Sequence, residues 1–248
     1  MVYTYDDDHW LQVGNHIIGP SVSSLFGFSI SLGKNGELLA VGAPGADKYG
    51  PDSGLVTIYS YDSSALDWTG FGISLIGSSQ NELCGHSVDF SSDGQHVAFG
   101  CPGASVGLFL LAGRVEIARF DPTRQIWSQY NVSTNGKGSS YHIGRSVSVS
   151  GDGNRVAYSG AVPTKADKSF PGIFVLELNE DIGEWVPYGS FIQEGIFRDR
   201  MVVATNFAGD LVAIGAVGPA NEGYVTTYEA IYKGQNYPYH LVDSEYHN

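Results

Sequence analysis

The chain has 248 residues, of which 13 are basic and 26 acidic, for a formal charge of −13; 33 are glycine and only 16% are charged. No basic stripe breaks that acidic balance, so nucleic acid and anionic membrane surfaces are poor partners, and the acidity reads first as a solubility device. No apolar run approaches the roughly 20 residues of a membrane span, while abundant Gly, Tyr and Phe suit many short strands joined by tight turns.

Val2 to Asp6 alternates with the period of two expected of a strand. It matches Val56 to Asp62 further on, so the chain opens inside a repeat, as a fragment would, and the lack of a signal segment before it says little. Asp6-Asp7-Asp8-His9 has the composition of a metal cluster, but later units place unrelated residues in the same slot, which makes it a hairpin loop. Trp10 to Gly14 is the return strand.

A full unit starts at Phe26. Ser29-Ile30-Ser31-Leu32 is a strand with one face on a core. Gly33-Lys34-Asn35-Gly36 is a turn carrying the Asn-Gly hairpin signal. Leu39 to Ala43 is a partner strand of small residues, and a glycine there is tolerated when another backbone must come close, as around a central axis. Pro44 ends it, Val56 to Asp62 is a third strand, and Trp68 opens a fourth.

The pattern returns. Phe26-Gly27-x-Ser29 reappears as Cys84-Gly85-x-Ser87 and Ile143-Gly144-x-Ser146, and Leu39 to Ala43 as Val97 to Cys101, Val156 to Gly160 and Val212 to Ala216. Trp10, Trp68, Trp127 and Trp185 lie 58, 59 and 58 residues apart. A fixed period means an array of units, none of which buries its apolar face alone. The expected organisation is a half unit (2–19), units 26–77, 84–136, 143–195 and a decayed 198–231, then a tail over 232–248.

Both cysteines fall in the second unit, where Cys84 takes the slot of Phe26 and Cys101 that of Ala43. If the hairpin is centred on Ser92-Asp93, facing residues have numbers adding to 185, as these two do. A Cys84–Cys101 disulfide is therefore expected, the alternative being two buried thiols in a reducing compartment. Asn131-Val132-Ser133 is an N-glycosylation sequon, which with the disulfide tilts the reading towards an extracellular or cell-surface protein.

The Gly-x-Ser serines lack the last glycine of a nucleophile elbow and recur three times, so they read as strand residues. Gly151-Asp152-Gly153 sits in a hairpin turn and lacks a dinucleotide loop's third glycine. The seven histidines do not cluster at metal-ligand spacing, and His86 occupies the slot of Phe28 and Arg145. No pair of carboxylates recurs.

Phe26-Gly27 followed by Val41-Gly42-Ala43-Pro44 resembles the FG-GAP repeat of integrin α-chain propellers and of repeats in large algal, oomycete and bacterial surface proteins. Cys84-Gly85 with Gly100-Cys101-Pro102 and Ile143-Gly144 with Ser159-Gly160-Ala161 extend the likeness. It implies an all-β fold, a β-propeller of four-stranded antiparallel blades, here with four to five blades or as part of a larger propeller. The calcium loops of many such blades are not carried over, because the turns at Lys34, Asp93, Asp152 and Ala208 offer at most one carboxylate each. No cofactor, metal or catalytic residue is assigned. The expected function is a non-enzymatic module of adhesion, scaffolding or assembly, with protein partners or neighbouring chains; a carbohydrate-binding lectin, with glycans as partners, is the alternative. An enzyme working from a unique pocket on the propeller face is a third reading that none of these residues supports.

Overall fold

A computed structural model describes residues 1–72, 74–129, 134–163, 169–193, 201–217, 223–230 and 239–245. The chain opens with a two-stranded hairpin, β1 (Val2–Asp6) and β2 (His9–Val13). Its turn places Asp7 and Asp8 at φ 44° and 64°, and Asp6 pairs with His9. The acidic cluster is thus a hairpin loop, as its slot in the repeat implied.

Four antiparallel sheets follow. Blade 1 holds β3 (Ser29–Gly33), β4 (Leu38–Ala43), β5 (Leu55–Asp62) and β6 (Asp67–Gly70), with the short β7 (Leu75–Ile76) beside β5. Blade 2 holds β8 (Ser87–Phe90), β9 (His96–Cys101), β10 (Arg114–Asp121) and β11 (Ile126–Gln129), with β12 (Thr134–Asn135) beside β10. Blade 3 repeats this with β13 (Val147–Val149), β14 (Arg155–Pro163), β15 (Ser169–Asn179), β16 (Glu184–Pro187) and β17 (Ile192–Gln193). Blade 4 is β18 (Met201–Thr205), β19 (Leu211–Val217), β20 (Gly223–Ala230) and β21 (Tyr239–Glu245). The fold is an all-β propeller. One boundary needs correction: 232–248 is not a patternless tail, because β21 comes from it and pairs with β20 through a bulge at Thr227/Tyr228. No tryptophan marks that strand, so the repeat signal failed there.

The blades stand side by side through their innermost strands, in the order β3, β8, β13, β18. The Gly-x-Ser serines make these joints. Ser29 Oγ donates to the Gly85 carbonyl and Ser87 Oγ to the Gly144 carbonyl, both at 2.8 Å. A Cβ on Gly42 would overlap the Gly85 carbonyl oxygen, and one on Gly100 the Gly144 oxygen. Close backbone approach at the axis is therefore why the second strand carries glycine. Asp89 links three blades: its carboxylate accepts from Ser31 Oγ at 2.8 Å, Val149 N at 2.8 Å and Ser148 Oγ at 3.2 Å. Burial nevertheless raises its pKa, because desolvation outweighs those bonds.

Apolar side chains fill the gaps between blades. Phe90, Val97, Phe99, Val56 and Ile58 pack between blades 1 and 2. Val115, Ile117, Val147, Val149 and Val156 pack between blades 2 and 3. Blades 1 to 3 also push their tryptophans onto the unit before them. Trp68 Nε1 donates to the Val13 carbonyl at 3.0 Å, and Cβ atoms built on Gly14 and Gly72 would lie 2.6 and 2.9 Å from Cδ1 of Trp68 and Trp127. Among the described residues, part of each end of the stack is exposed. Ile30 and Leu32 on β3 are exposed, although their counterparts Val88, Phe90, Val147 and Val149 are buried, and Val202 is exposed on β18.

Cys84 and Cys101 form a disulfide, with Cα atoms 4.0 Å apart. The register is not the expected one. Ser87 pairs with Gly100 and Phe90 with Val97, so facing numbers add to 187 and the turn is centred on Asp93-Gly94. Cys84 lies before the strand, between Leu83 at φ 56° and Gly85 at φ 83°, and this left-handed kink swings it onto Cys101. In blade 3 Ile143 fills the same place, 2.8 Å from where a Cβ on Gly160 would sit. Arg114 braces the disulfide: it forms a bidentate pair with Glu82 at 2.9 Å and a second ion pair with Glu116 at 2.6 Å. Burial raises the Glu116 pKa despite that partner.

Candidate functional site

The kink before each inner strand does more than place Cys84. Leu25, Leu83 and His142 take φ 53°, 56° and 48°, and Gly27, Gly85 and Gly144 follow at 88°, 83° and 88°. Each Gly donates its N–H to the carbonyl at the end of the second strand: Gly42, Gly100 and Ser159. The variable residue after it is thereby turned towards the propeller axis. In the four blades that residue is Phe28, His86, Arg145 and Met201, the last placed by the pairing of Val202 with Gly215. All four line one pocket of about 510 Å³, with His142, Leu83, Leu111, Pro102, Gly103 and Val202.

Its chemistry is set by two imidazoles and a guanidinium. His86 Nδ1 is 3.2 Å from the Arg145 carbonyl oxygen, and His142 Nδ1 is 3.2 Å from that of Pro102. A carbonyl can only accept, so each Nδ1 carries a proton, and in the neutral His86 ring Nε2 is left as the acceptor. Burial lowers the His86 pKa, the nearby Arg145 charge lowers it further, and the bond to the Arg145 carbonyl offsets only part of this. His86 is therefore neutral at pH 7. Phe28 lies against it, ring centroids 4.9 Å apart at 52°.

The histidines do not cluster at metal-ligand spacing in the sequence, and His86 reads only as one occupant of the Phe28 and Arg145 slot. In the structure it is half-buried, and His142 lines the same pocket. The residues are 56 positions apart in sequence, so spacing alone hides the pair. The signal that could have found it is the one slot in an otherwise constant Gly-x-Ser motif that holds a different side chain in every blade.

The remaining motifs serve the scaffold. Ser91 Oγ and Ser150 Oγ each donate to the turn carboxylate, Asp93 or Asp152, at 2.6 Å. Those carboxylates then accept from Gln95 N and Asn154 N. Each single turn carboxylate thus caps its own hairpin, with Gly94 and Gly153 at φ 70° and 76° completing the bend. The sequon residue Asn131 lies outside the described residues. No helix among the described residues is long and apolar enough to cross a membrane.

No family model matches the chain, and no curated protein sequence does. Solved structures match it by fold. One, from Bacteroides uniformis and described as a candidate 6-phosphogluconolactonase, is 12% identical with a TM-score of 0.57, over 97% of this chain and 62% of that one. Another of the same description, from Bacteroides fragilis, is 12% identical with a TM-score of 0.55, over 86% of this chain and 52% of that one. The chain thus spans between half and two thirds of the length of these propellers. At such identity the likeness establishes the fold.

It also corrects the functional expectation. The non-enzymatic adhesion, scaffold or assembly module, with a lectin as its alternative, drew on a resemblance that no family model supports. Solved structures that share this fold over nearly the whole chain are described as lactonases. The expectation of a non-enzymatic module is withdrawn on that ground.

Proposed function

We propose that the axial pocket binds a small lactone or ester carrying an anionic group and hydrolyses it. The observation that carries this reading is the convergence of His86, His142 and Arg145 from different blades and loops on one partly apolar cavity. In the reaction a water oxygen attacks the lactone carbonyl carbon while Nε2 of neutral His86 takes the water proton. Negative charge then grows on the carbonyl oxygen in the field of Arg145. Collapse breaks the ring C–O bond, and the leaving oxygen takes its proton back from the imidazolium, giving a hydroxy acid. Nε2 of His142 accepts from a substrate hydroxyl, and Phe28 and Met201 form the apolar wall against which the ring lies.

Arg145 brings a guanidinium to a pocket with no carboxylate among its described lining residues, which favours an anionic substrate. The Cys84–Cys101 disulfide supports an oxidising compartment outside the cytosol, and we place the protein in a secreted setting on that basis. The Phe-Gly-x-Ser motif, whose glycine and serine set the blade joints, keeps its likeness to FG-GAP repeats as a proposal about ancestry.

The test is acid release, followed by pH-stat, from gluconolactone and 6-phosphogluconolactone with the full chain and with His86→Gln. Loss of a general base is expected to lower kcat by a factor of about 10² or more, and the wild-type rate should rise with pH through a pKa below 6.5. Equal rates for wild type, His86→Gln and buffer would end the proposal.

A further inference from the structure

We propose a second ligand site, sharing no residue with the axial pocket: the cleft between blades 2 and 3 takes the hydrocarbon chain of a single-chain amphiphile with a carboxylate head, and Lys137 holds that head. The cleft has a volume of about 830 Å³, within the usual range for ligand pockets. Its floor is apolar. Ile143 and Leu176 come from blade 3 and its approach, and Tyr158 and Phe174 stack with centroids 5.2 Å apart and planes 12° apart. Burial pushes the Tyr158 phenol up to about 12, so the floor carries no charge.

The rim differs from the rest of this acidic surface. The chain has twice as many acidic as basic residues, yet among the described residues lining the cleft the charged side chain is Lys137, which is exposed. Beside it the loop folds back on itself, with Val106 and Phe109 exchanging backbone bonds of 3.0 Å around Gly107 and Leu108. Leu108 stands 96% exposed at the tip and lines the cleft with Phe109. A leucine so exposed has little to pack on among the described residues, whereas an alkyl chain in the cleft would lie against it. An uncharged floor, an apolar rim and one cation at the mouth match a fatty-acid-type carboxylate. Neither a sugar, which needs many hydroxyl partners, nor a cation fits.

Isothermal titration of the full chain with decanoate and with 1-decanol tests this. Saturable one-to-one binding of decanoate is expected. Lys137→Glu should weaken decanoate by about three- to five-fold, the range of an exposed ion pair, and leave decanol unchanged. Ala161→Trp, which fills the cleft from β14, should weaken both ligands at least ten-fold, and Leu108→Asp, on the exposed tip where folding is not at stake, at least three-fold. The site is refuted by no saturable binding of either ligand, by Lys137→Glu affecting both equally, or by decanoate affinity unchanged in both Ala161→Trp and Leu108→Asp. None of these outcomes bears on lactone hydrolysis at the axis, so the two readings fail separately.

Discussion

Replacing Trp127 with alanine should cost about 3–5 kcal/mol, and the same change at Trp10 about 1–1.7 kcal/mol. The two residues hold the same position in the repeat, so local sequence offers no reason for a difference. The structure does. Trp127 is 3% exposed, Trp185 4% and Trp68 8%, whereas Trp10 is 67% exposed. Trp127 lies between blades, within 5.8 Å of Phe90, 5.4 Å of Phe120 and 6.5 Å of Phe71, centroid to centroid. Removing it loses the transfer energy of a large aromatic and leaves a cavity that the neighbouring backbones cannot close. Trp10 enters no blade among the described residues and lies 5.2 Å from the ring of Tyr5. With about a third of its surface covered, it can lose only about a third of that energy. Urea titrations followed by far-ultraviolet circular dichroism would measure both variants. With an m-value near 3 kcal/mol/M, the Trp127 variant should unfold roughly 1.3 M earlier than wild type. Equal midpoints for the two variants, or a Trp127 loss under about 1 kcal/mol, would show that the tryptophans do not hold the blades together.

Three further outcomes are expected. Cys84→Ser with Cys101→Ser should destabilise the chain by about 3 kcal/mol, from the loop-closure entropy of a 17-residue separation, and calorimetry with and without reductant should give the same shift. Arg114→Met should cost about 3–5 kcal/mol, because it strands Glu82 and Glu116 without a cation between blades 1 and 2; a cost below 1 kcal/mol in urea would mean that water reaches those carboxylates. The depressed pKa of His86 makes the unfolded chain bind the extra proton first as pH falls below 6.5. Its share of stability is therefore complete above that value and declines through the window down to the folded pKa. His86→Gln should lose less stability than wild type between pH 7.5 and 5.5, and parallel pH profiles would contradict the shift.

Much of the fold could be read from residues that repeat because backbones collide. Gly42 and Gly100 recur since a Cβ there would strike the next blade's carbonyl, and Ser29 and Ser87 recur since they hydrogen-bond that same carbonyl. Repetition fades where no neighbour imposes it. The strand Tyr239–Glu245 ends the last blade with no tryptophan to announce it. The Cys84–Cys101 pairing was reached through a register two positions out, because the Ser91-to-His96 turn is longer than a two-residue hairpin and the kink at Leu83 and Gly85 makes up the difference.

The candidate site shows the reverse relation between pattern and role. Phe28, His86, Arg145 and Met201 share a slot that the fold turns towards the axis in every blade, so its direction is constrained while its chemistry is not. A structural role would have driven those four side chains towards one type, as it did, in three blades, for the glycine before them and the serine after. They instead span aromatic, imidazole, guanidinium and thioether. The slot most rigidly placed by the repeat is the one the repeat does not specify, and a ligand on the axis is what would select such a set. His142 strengthens this: it replaces the leucine of the sister kinks at Leu25 and Leu83, keeps their left-handed backbone at φ 48°, and adds a second imidazole to the same cavity. Its Nδ1 bonds the Pro102 carbonyl, so the ring ties the kink to the scaffold while also bordering the cavity.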